Sequence, residues 1–290
     1  MQHLVDVNNL TLEEINKIFN DAASFKKKLP PKLLENRLII TLFFEASTRT
    51  RSSFEVAAKR LGASVVHLDP AKSSTKKGET LEDTFANLAA MGPDGVIVRH
   101  SQNETAQILA NMNLTPIINA GTGNNAHPSQ ALLDLFTLKE HFGNLEGKKI
   151  AIVGDIANSR VASSNLKLLE KMGLDITLVA PKEFMPNSNF KSTQNLDDIL
   201  NSVDIIMSLR AQLERHKKPI FDDYNEYAKH YCITKDRVKK DVAIMHPGPV
   251  MRNIDISDEV LDMPNSLVLE QVKNGVFIRM AILKHLLLDS

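Results

Sequence analysis

Residues 37–53 read RLIITLFFEASTRTRSS, an apolar run that changes within a few positions to hydroxyl side chains and two arginines. The apolar part predicts a buried strand, and the Ser- and Thr-rich part predicts the start of a helix. One interpretation is a helix N-cap beside a solvated basic patch. The other is an anion site, because the free N–H groups, hydroxyls and guanidinium groups at such a helix start together bind phosphate.

The same change from strand to helix recurs along the chain in two sets. The first set has predicted strands over 37–44, 64–69, 94–100 and 115–121. The second set has predicted strands over 148–155, 174–180, 203–210 and 242–248. Segments with helical periodicity separate the strands, which is typical of parallel βαβ units. The sequence therefore predicts the α/β class, with two domains that each contain a parallel β-sheet flanked by helices.

Three further segments have the periodicity of helices. Thr11 and Glu14 have the spacing of a capping box, so a helix is predicted to begin after Thr11. A second helix runs over 128–142, between the two sets of strands, and Gly143 is its expected stop. The last amphipathic segment, 268–288, follows the second set, and its pattern alone leaves open which domain it packs on.

The composition excludes several classes of function. The 290 residues include 35 basic and 35 acidic ones, so no net field attracts nucleic acid or an anionic membrane. The N-terminus lacks the pattern of a secretory signal, and no apolar run reaches the ~20 residues of a membrane span. The single cysteine, Cys232, cannot form an internal disulfide, and no metal-binding motif occurs. We expect a cytoplasmic protein with no metal and with neither nucleic acid nor a membrane as partner.

Two nucleotide-binding motifs are missing from the sequence. The GxxxxGK[ST] loop does not occur, and the strand over 148–155 is not followed by G-x-G-x-x-G. The next strand ends in Ala180 and Pro181 instead of the acidic residue that binds a ribose. Binding of a nucleoside triphosphate or a dinucleotide is therefore unsupported, whereas binding of a small phosphate ester or acyl phosphate remains open.

Polar residues follow the predicted strands at the ends where ligands bind in open α/β sheets. In the first domain these residues are Arg49, Thr50, Arg99, His127 and Gln130. Each alone is weak, since a lone histidine near a helix start more often caps or packs. Adjacent parallel strands would bring all five to one edge of the sheet, where they could hold a phosphate and donate to a developing oxyanion.

The second domain has a comparable set. Arg160 lies near a predicted helix start, and Arg210 and Gln212 follow the third strand. The two guanidinium groups could each bind one carboxylate of a dicarboxylate, although such arginines separately are more often surface or ion-pair residues. The HPGP turn over 246–249 presents carbonyl groups that could accept from an NH₂ group, although its prolines would also justify a rigid turn alone. The polar stretch 70–80, ordinarily a solvated loop, could reach into the site of a neighbouring subunit.

Eight motifs together resemble the catalytic chains of the aspartate carbamoyltransferase family. They are FFEASTRTRSSFE (43–55), KKGETLEDT (76–84), VIVRH (96–100), HPSQALLDLFT (127–137), GDIANSRVASS (154–164), SLRAQLER (208–215), MHPGPVMRN (245–253) and VKNGVFIRMAIL (272–283). STRTR, HPxQ and HPGP in this order are specific, whereas STRTR alone also fits ornithine carbamoyltransferases. The resemblance implies transfer of the carbamoyl group of carbamoyl phosphate to the α-amine of L-aspartate, the committed step of pyrimidine biosynthesis, without a metal or another cofactor.

The resemblance also implies a role for each candidate residue. The carbamoyl phosphate-binding residues would be Ser47, Thr48, Arg49, Thr50, Arg99, His127, Gln130, Gly248 and Pro249. The catalytic residues among them would be Arg49, Thr50, Arg99 and His127, whereas Arg51 would be mainly structural. The L-aspartate-binding residues would be Lys77, Arg160, Arg210 and Gln212. Ser73 and Lys77 would come from an adjacent subunit, which implies a homotrimer with shared active sites. A regulatory chain or a dihydroorotase remains possible as a further partner.

The family's organisation implies a carbamoyl phosphate-binding domain over 1–130 plus 271–290 and an aspartate-binding domain over 131–270, with the C-terminal helix packing back on the first domain. Two positions depart from the family pattern. Gly248 stands where leucine or alanine is common, and Ala157-Asn158 stands where basic or aromatic residues are common. The turn at Gly248 presents backbone, so its implied role survives, whereas the change at 157–158 leaves the aspartate contacts there open.

Two alternative functions remain. An ornithine carbamoyltransferase would share the phosphate site, but that family has a Cys-containing turn where this chain has MHPGP, and Cys232 lies too early to supply it. Paired arginines would also repel the amine of ornithine. A non-catalytic scaffold subunit related to carbamoyltransferases would be expected to lose site residues, and none of the main ones is missing from this sequence.

Overall fold

The computed structural model describes residues 3–69, 79–200, 202–213, 220–239 and 241–288. The chain divides into two compact units, one comprising Met1–Phe136 with Lys273–Ser290 and the other Thr137–Val272. Each unit contains a parallel sheet with helices between its strands, which confirms the predicted α/β class.

The first unit contains a four-stranded sheet. Its elements in chain order are α1 (Leu12–Lys27), β1 (Leu38–Phe43), α2 (Thr48–Arg60), β2 (Ser64–Leu68), α3 (Leu81–Ala89), β3 (Gly95–His100), α4 (Thr105–Asn111), β4 (Ile117–Thr122) and the start of α5 (Pro128–Phe142). The strand order is β2-β1-β3-β4, and all three pairings are parallel. All four predicted strands of this set are present, with ends within two residues of the predicted ones.

The second unit contains a five-stranded sheet. Its elements are β5 (Lys149–Val153), α6 (Arg160–Lys171), β6 (Asp175–Val179), β7 (Lys191–Thr193), β8 (Ile205–Ser208), α7 (Tyr224–Tyr231), β9 (Ala243–Met245), α8 (Asp258–Leu261) and the start of α9 (Val268–Leu287). The strand order is β7-β6-β5-β8-β9, again with parallel pairings. Strand β7 was not predicted from the sequence. This short edge strand reads KST and has no alternation of apolar and polar residues.

The boundaries between the units lie inside α5 and α9. The family resemblance implies domain limits after residue 130 and before residue 271, and the compact units change after Phe136 and before Lys273. A helix that continues from one unit into the other has no linker composition that would mark the boundary.

Two predicted helix ends, the start of α1 and the end of α5, are present. The N–H of Glu14 donates to the Thr11 hydroxyl over 3.1 Å, and the N–H of Thr11 donates to the Glu14 carboxylate over 2.8 Å, which completes the capping box of α1. Gly143 follows α5 with a left-handed φ of 73°, the conformation that glycine supplies at a helix end.

An aspartate joins the beginnings of two strands in each sheet. The carboxylate of Asp94, just before β3, accepts from the N–H of Leu38 at the start of β1 over 2.8 Å. The carboxylate of Asp204, just before β8, accepts from the N–H of Lys149 at the start of β5 over 2.9 Å. In both sheets, therefore, an aspartate carboxylate fixes the register of two neighbouring strands at the edge opposite to the strand carboxyl ends.

The C-terminal helix packs on the first unit, as the fold prediction states. Lys284 of α9 forms an ion pair with Asp21 of α1 at 2.7 Å, and Lys26 of α1 donates to Asn274 over 2.9 Å. Most residues between Ile278 and Leu286 are buried, so apolar packing accompanies these polar contacts. In the described part of the chain, no helix combines the length and the apolar composition needed to cross a membrane.

Candidate active site

The segment quoted first forms the turn from β1 into α2. Ser47 is the N-cap residue of α2, but its side chain makes no hydrogen bond to the described first turn of that helix. Thr48 and Arg49 are exposed, and Ser47 and Thr50 are half-buried. The first N–H groups of α2 and the neighbouring hydroxyls are therefore presented together at the helix start, where the helix dipole favours an anion.

The guanidinium of Arg49 is partly desolvated although the residue as a whole is exposed. Desolvation by the surrounding protein lowers the pKa of its guanidinium from the ordinary value. The guanidinium still carries its positive charge at neutral pH. A bound phosphate would favour the charged form, because an opposite charge nearby offsets desolvation.

Arg99 and His127 lie at the same sheet edge as the start of α2. Arg99 is near the end of β3, directly opposite Phe43 of β1, and Phe44 donates its N–H to the Arg99 carbonyl over 2.9 Å. The Arg99 side chain is only 13% exposed, and its Nη1 donates to the carbonyl of Ala120 over 3.0 Å. His127 is buried immediately before α5, which follows β4. Because β1, β3 and β4 are neighbours, the carboxyl ends of three adjacent strands meet here.

Gln130 in the first turn of α5 is held in one orientation by Asp134. The Gln130 Nε2 donates to the Asp134 carboxylate over 2.8 Å, and both residues are buried. A carboxylate only accepts, so the NH₂ end of the amide faces Asp134 and its carbonyl oxygen faces away. That oxygen is the group that could accept from the amino group of a substrate.

Buried Arg279 of α9 connects this network to α2. Its Nη1 donates to the Ser53 hydroxyl over 2.9 Å, and its guanidinium lies 5.0 Å from the ring centre of Phe54. Desolvation lowers the pKa of Arg279 to about 10, and the charge of Asp134 acts in the opposite direction. The guanidinium remains charged at neutral pH, so it bonds to Ser53 of α2 and interacts electrostatically with Asp134 of α5.

The second unit brings its own candidates to the carboxyl ends of β5 and β8. Ser159 caps α6 by accepting from the N–H of Ala162 over 3.1 Å, and Arg160 is the first residue of that helix. The Gln212 amide, after β8, donates to the carbonyl of Asn158 at 3.5 Å. The structure therefore places Gln212 against the turn that leads to Arg160.

Asn158 makes two polar contacts in the second unit. The Asn158 side chain donates to the carboxylate of buried Asp155 at 3.2 Å, while its carbonyl receives the bond from Gln212. Asn158 therefore links the end of β5 to the segment after β8. These contacts give Asn158 a local structural role in the second unit.

The HPGP turn follows β9, which pairs with β8 in the same sheet. Gly248 has a left-handed φ of 72°, a conformation that suits glycine, and its N–H donates to His246 Nδ1 over 2.8 Å. Buried Asp255 accepts from Met251 and Ala211 and lies beside His246. The turn and the Arg210–Gln212 segment are thus both tied to one carboxylate.

Sequence reasoning missed Asp134, Arg279 and Asp255. The available signal was a charged residue between two apolar neighbours, in LDL (133–135), IRM (278–280) and IDI (254–256) respectively. Such a residue is seldom fully buried unless it is paired. The predicted residues Ser73 and Lys77 lie outside the described residues. Within the described ranges, no group of three or more His, Cys, Asp or Glu side chains is arranged to hold a metal ion.

The chain matches two profiles that together cover almost all of it. Residues 2–140 match the profile described as "Aspartate/ornithine carbamoyltransferase, carbamoyl-P binding domain". Residues 146–286 match the one described as "Aspartate/ornithine carbamoyltransferase, Asp/Orn binding domain". The chain therefore belongs to the aspartate/ornithine carbamoyltransferase family, as the motifs indicated.

The individual relatives include proteins named as aspartate carbamoyltransferases or aspartate transcarbamoylases. The aspartate carbamoyltransferase catalytic subunit of Sulfurovum sp. (strain NBC37-1) is 68% identical over 292 aligned residues, covering 100% of this chain and 99% of the relative. The solved catalytic subunit of M. jannaschii aspartate transcarbamoylase has a TM-score of 0.90 at 35% identity, covering 100% of this chain and 99% of that one. Aspartate transcarbamoylase from Trypanosoma cruzi, solved with carbamoyl phosphate and aspartate, has a TM-score of 0.88 at 31% identity, covering 97% and 95%.

The ornithine branch has the same fold at lower sequence identity. Ornithine carbamoyltransferase from Thermus thermophilus has a TM-score of 0.88 at 26% identity, covering 99% of each chain. Shape therefore does not separate the two branches, and the distinction depends on the residues that bind the second substrate.

Proposed function

We propose that this chain catalyses transfer of the carbamoyl group of carbamoyl phosphate to the α-amine of L-aspartate, giving N-carbamoyl-L-aspartate and phosphate. The observation that carries the proposal is the placement of the α2 start, Arg99 and His127 at the carboxyl ends of three adjacent strands. The full-length similarity to aspartate carbamoyltransferase catalytic subunits supports the same reaction.

The first unit would bind the carbamoyl phosphate. Its phosphate would lie at the start of α2, held by the residues Ser47, Thr48, Arg49 and Thr50. Thr50, Arg99 and His127 would donate to the carbamoyl oxygen as negative charge develops on it. The Gln130 carbonyl oxygen, which faces away from Asp134, would accept from the carbamoyl amino group. The carbonyls of Gly248 and Pro249 would accept from the same amino group.

The second unit would bind the aspartate. Arg160 and Arg210 would each pair with a carboxylate, because a guanidinium presents two parallel donors to a carboxylate. Gln212 would add a polar contact, and its bond to the Asn158 carbonyl supports a fixed position beside Arg160. The α-carboxylate and side-chain carboxylate of aspartate match this pair of cations, whereas the second amine of ornithine does not.

The chemical step would be an addition followed by elimination. The neutral α-amine of aspartate attacks the carbamoyl carbon, a C–N bond forms, and the carbonyl electrons move onto the oxygen held by Arg99 and His127. The C–O bond to phosphate then breaks, and the leaving phosphate takes the proton lost by the amine. Positioning of the two substrates and stabilisation of the oxyanion would supply most of the rate enhancement.

The assembly would be a cytoplasmic homotrimer in which Ser73 and Lys77 act in the site of an adjacent subunit. Mixing an Arg49→Ala protein with a Lys77→Ala protein tests this arrangement, because each hybrid trimer would contain one site in which neither residue is substituted. Subunit exchange should restore part of the activity of the inactive parents. Failure of the mixture to recover any activity, with a monomeric mass in sedimentation, would contradict the shared site.

The reaction itself is tested by a carbamoylation assay that offers aspartate and ornithine in parallel with carbamoyl phosphate. We expect turnover of aspartate and none of ornithine. Turnover of ornithine alone would identify an ornithine carbamoyltransferase, and turnover of neither, from correctly folded protein, would support a non-catalytic scaffold.

A further inference from the structure

Asp255 is a fully buried acidic residue that follows the HPGP turn in the second unit. Its Oδ1 accepts from the N–H of Ala211 over 3.2 Å. Its Oδ2 accepts from the N–H of Met251 over 2.8 Å and lies 3.2 Å from His246 Nε2. The side chains of Asp255 and His246 are both 0% exposed, so water cannot replace either partner.

The hydrogen bonds of His246 define its tautomer. The N–H of Gly248 can only donate, so His246 Nδ1 must accept that bond, which is 2.8 Å long. The ring proton is therefore on Nε2 and points to the carboxylate of Asp255. This gives a directed chain from the N–H of Gly248 through His246 to Asp255.

The two oxygens of Asp255 act on different segments. Ala211 lies between Arg210 and Gln212, so the bond to Oδ1 fixes the backbone from which both of those side chains project. The bonds to Oδ2 fix the turn at Gly248, directly through Met251 and indirectly through His246.

The backbone of Asp255 strengthens this arrangement. Its carbonyl accepts from the N–H of Ile233 over 3.0 Å and from the hydroxyl of Ser208, the last residue of β8, over 3.4 Å. The carboxylate is thus anchored to the sheet that carries both segments. Because Asp255 is itself fixed by these bonds, its carboxylate can hold the two backbone segments that it binds in fixed positions.

We infer that Asp255 is a positioning residue for both substrates, holding the Arg210–Gln212 segment with one oxygen and the Gly248–Pro249 turn with the other. The assignment of aspartate to the first segment and of carbamoyl phosphate to the second rests on the proposed function. A purely structural role would lower the stability of the fold without changing how the folded protein binds its substrates.

The test is Asp255→Asn, which keeps the size of the side chain but replaces one accepting oxygen with an NH₂ group. In one orientation the new NH₂ group faces the N–H of Ala211, and in the other orientation it faces the N–H of Met251. One of the two hydrogen bonds is therefore lost in either case. Each KM, measured with the other substrate saturating, is expected to rise roughly tenfold or more, because a hydrogen bond to a charged group is lost. Asp204→Asn is the matched control, since Asp204 also accepts a strand N–H but lies at the opposite sheet edge.

A second variant separates the two segments. His246→Gln keeps a donor near the Nε2 position toward Asp255 and removes the acceptor for the Gly248 N–H. The KM for carbamoyl phosphate should rise while the KM for aspartate, at saturating carbamoyl phosphate, stays unchanged. In the double variant Arg210→Ala with Asp255→Asn, the aspartate effects should be less than multiplicative, because both act on one segment.

Amide hydrogen exchange provides a readout that needs no substrate. In folded Asp255→Asn protein, the N–H groups of Ala211, Gly248 and Met251 should exchange faster than in the wild type, with the control Asp204→Asn unchanged at these sites. Unchanged exchange, or faster exchange with both KM values unaltered, would overturn the inference.

If Asp255→Asn does not fold, the His246→Gln variant provides the test instead. An unchanged KM for carbamoyl phosphate in that variant would overturn the inference. A wild-type protein inactive with both substrates would refute the proposed function, and exchange alone would then decide the role of Asp255.

Discussion

The first strand of each sheet leads into a helix through a serine N-cap, but the two helix starts differ. Ser159 at the start of α6 accepts from the N–H of Ala162 and so closes its helix end with its own side chain. Ser47 at the start of α2 makes no such bond to the described residues of that helix. The first unit therefore leaves backbone donors for an outside anion, whereas the second satisfies one of them internally.

This difference matches the two ligands that we propose. A phosphate suits several converging N–H and hydroxyl donors, because it has many accepting oxygens and binds well at a helix start. Two separate carboxylates instead suit two guanidinium groups on long side chains, here Arg160 and Arg210. The same strand-turn-helix unit thus serves one ligand through its backbone and the other through its side chains.

The largest effect is expected from Arg49→Ala, which removes the cation from the open helix start. We expect turnover to fall roughly 10²- to 10³-fold, by analogy with removal of one oxyanion-stabilising donor. Steady-state kinetics with carbamoyl phosphate and aspartate measure this change. Arg60→Ala is a matched control, because Arg60 ends the same helix and packs over the Phe277 ring. Near-full activity of Arg49→Ala would contradict the phosphate site.

Substitution of Arg210 tests whether arginine side chains of the second unit bind the carboxylates of aspartate. Arg210→Ala should raise the KM for aspartate roughly 10- to 100-fold, since a charged hydrogen-bonding group is lost, and should change the KM for carbamoyl phosphate much less. Lys191→Ala removes one exposed cation from the same unit and should leave both constants unaltered. An aspartate KM unchanged by Arg210→Ala would rule out the carboxylate clamp.

Alanine at each serine cap compares the two helix starts directly. Ser159→Ala should lower the free energy of unfolding by about 1 kcal/mol, the usual contribution of an N-cap side chain. Ser47→Ala should cost much less stability but weaken binding of carbamoyl phosphate. Urea denaturation and substrate titration of both variants provide the comparison, and equal stability losses would remove the distinction that we draw.

The smallest effect concerns α1, whose start is closed by a complete capping box. The backbone hydrogen bond from Thr11 is the main reason that the pKa of Glu14 is lowered. A lowered pKa means that this carboxylate stabilises the fold above its unfolded pKa, and that the contribution disappears as pH falls through the folded pKa.

The variant Glu14→Gln isolates this contribution, because glutamine can cap but does not titrate. The free energy of unfolding of the wild type should exceed that of the variant by a few tenths of a kcal/mol at neutral pH. This difference should disappear between about pH 5 and pH 3. Thermal unfolding at several pH values measures the gap. A gap that is independent of pH would show that the charge of Glu14 contributes nothing.

The sequence predicted most of the fold because the physical signals involved are local. Eight strands could be located because they are short apolar runs separated by segments with helical periodicity, whereas the polar strand β7 could not. The residues that reach the first unit's sheet edge were also predictable, since parallel neighbours bring their carboxyl ends together.

The supporting network was not predictable for an equally physical reason. Asp255 and the N–H of Ala211 are 44 positions apart in sequence, and nothing in either neighbourhood indicates the bond between them. The same holds for Arg279 and Ser53, which meet only when α9 returns to the first unit. Such contacts depend on tertiary geometry, which hydrophobic periodicity does not encode.

The position of α9 has a consequence for how the protein is made. Its contacts with Asp21, Lys26 and Ser53 complete the first unit, yet the ribosome synthesises it after the whole of Thr137–Val272. The second unit, whose strands are contiguous in sequence, can therefore mature during translation, while the N-terminal half waits with the surface for α9 uncovered. Truncations before Lys273 should consequently leave the first unit, and with it the proposed phosphate site, the less stable of the two.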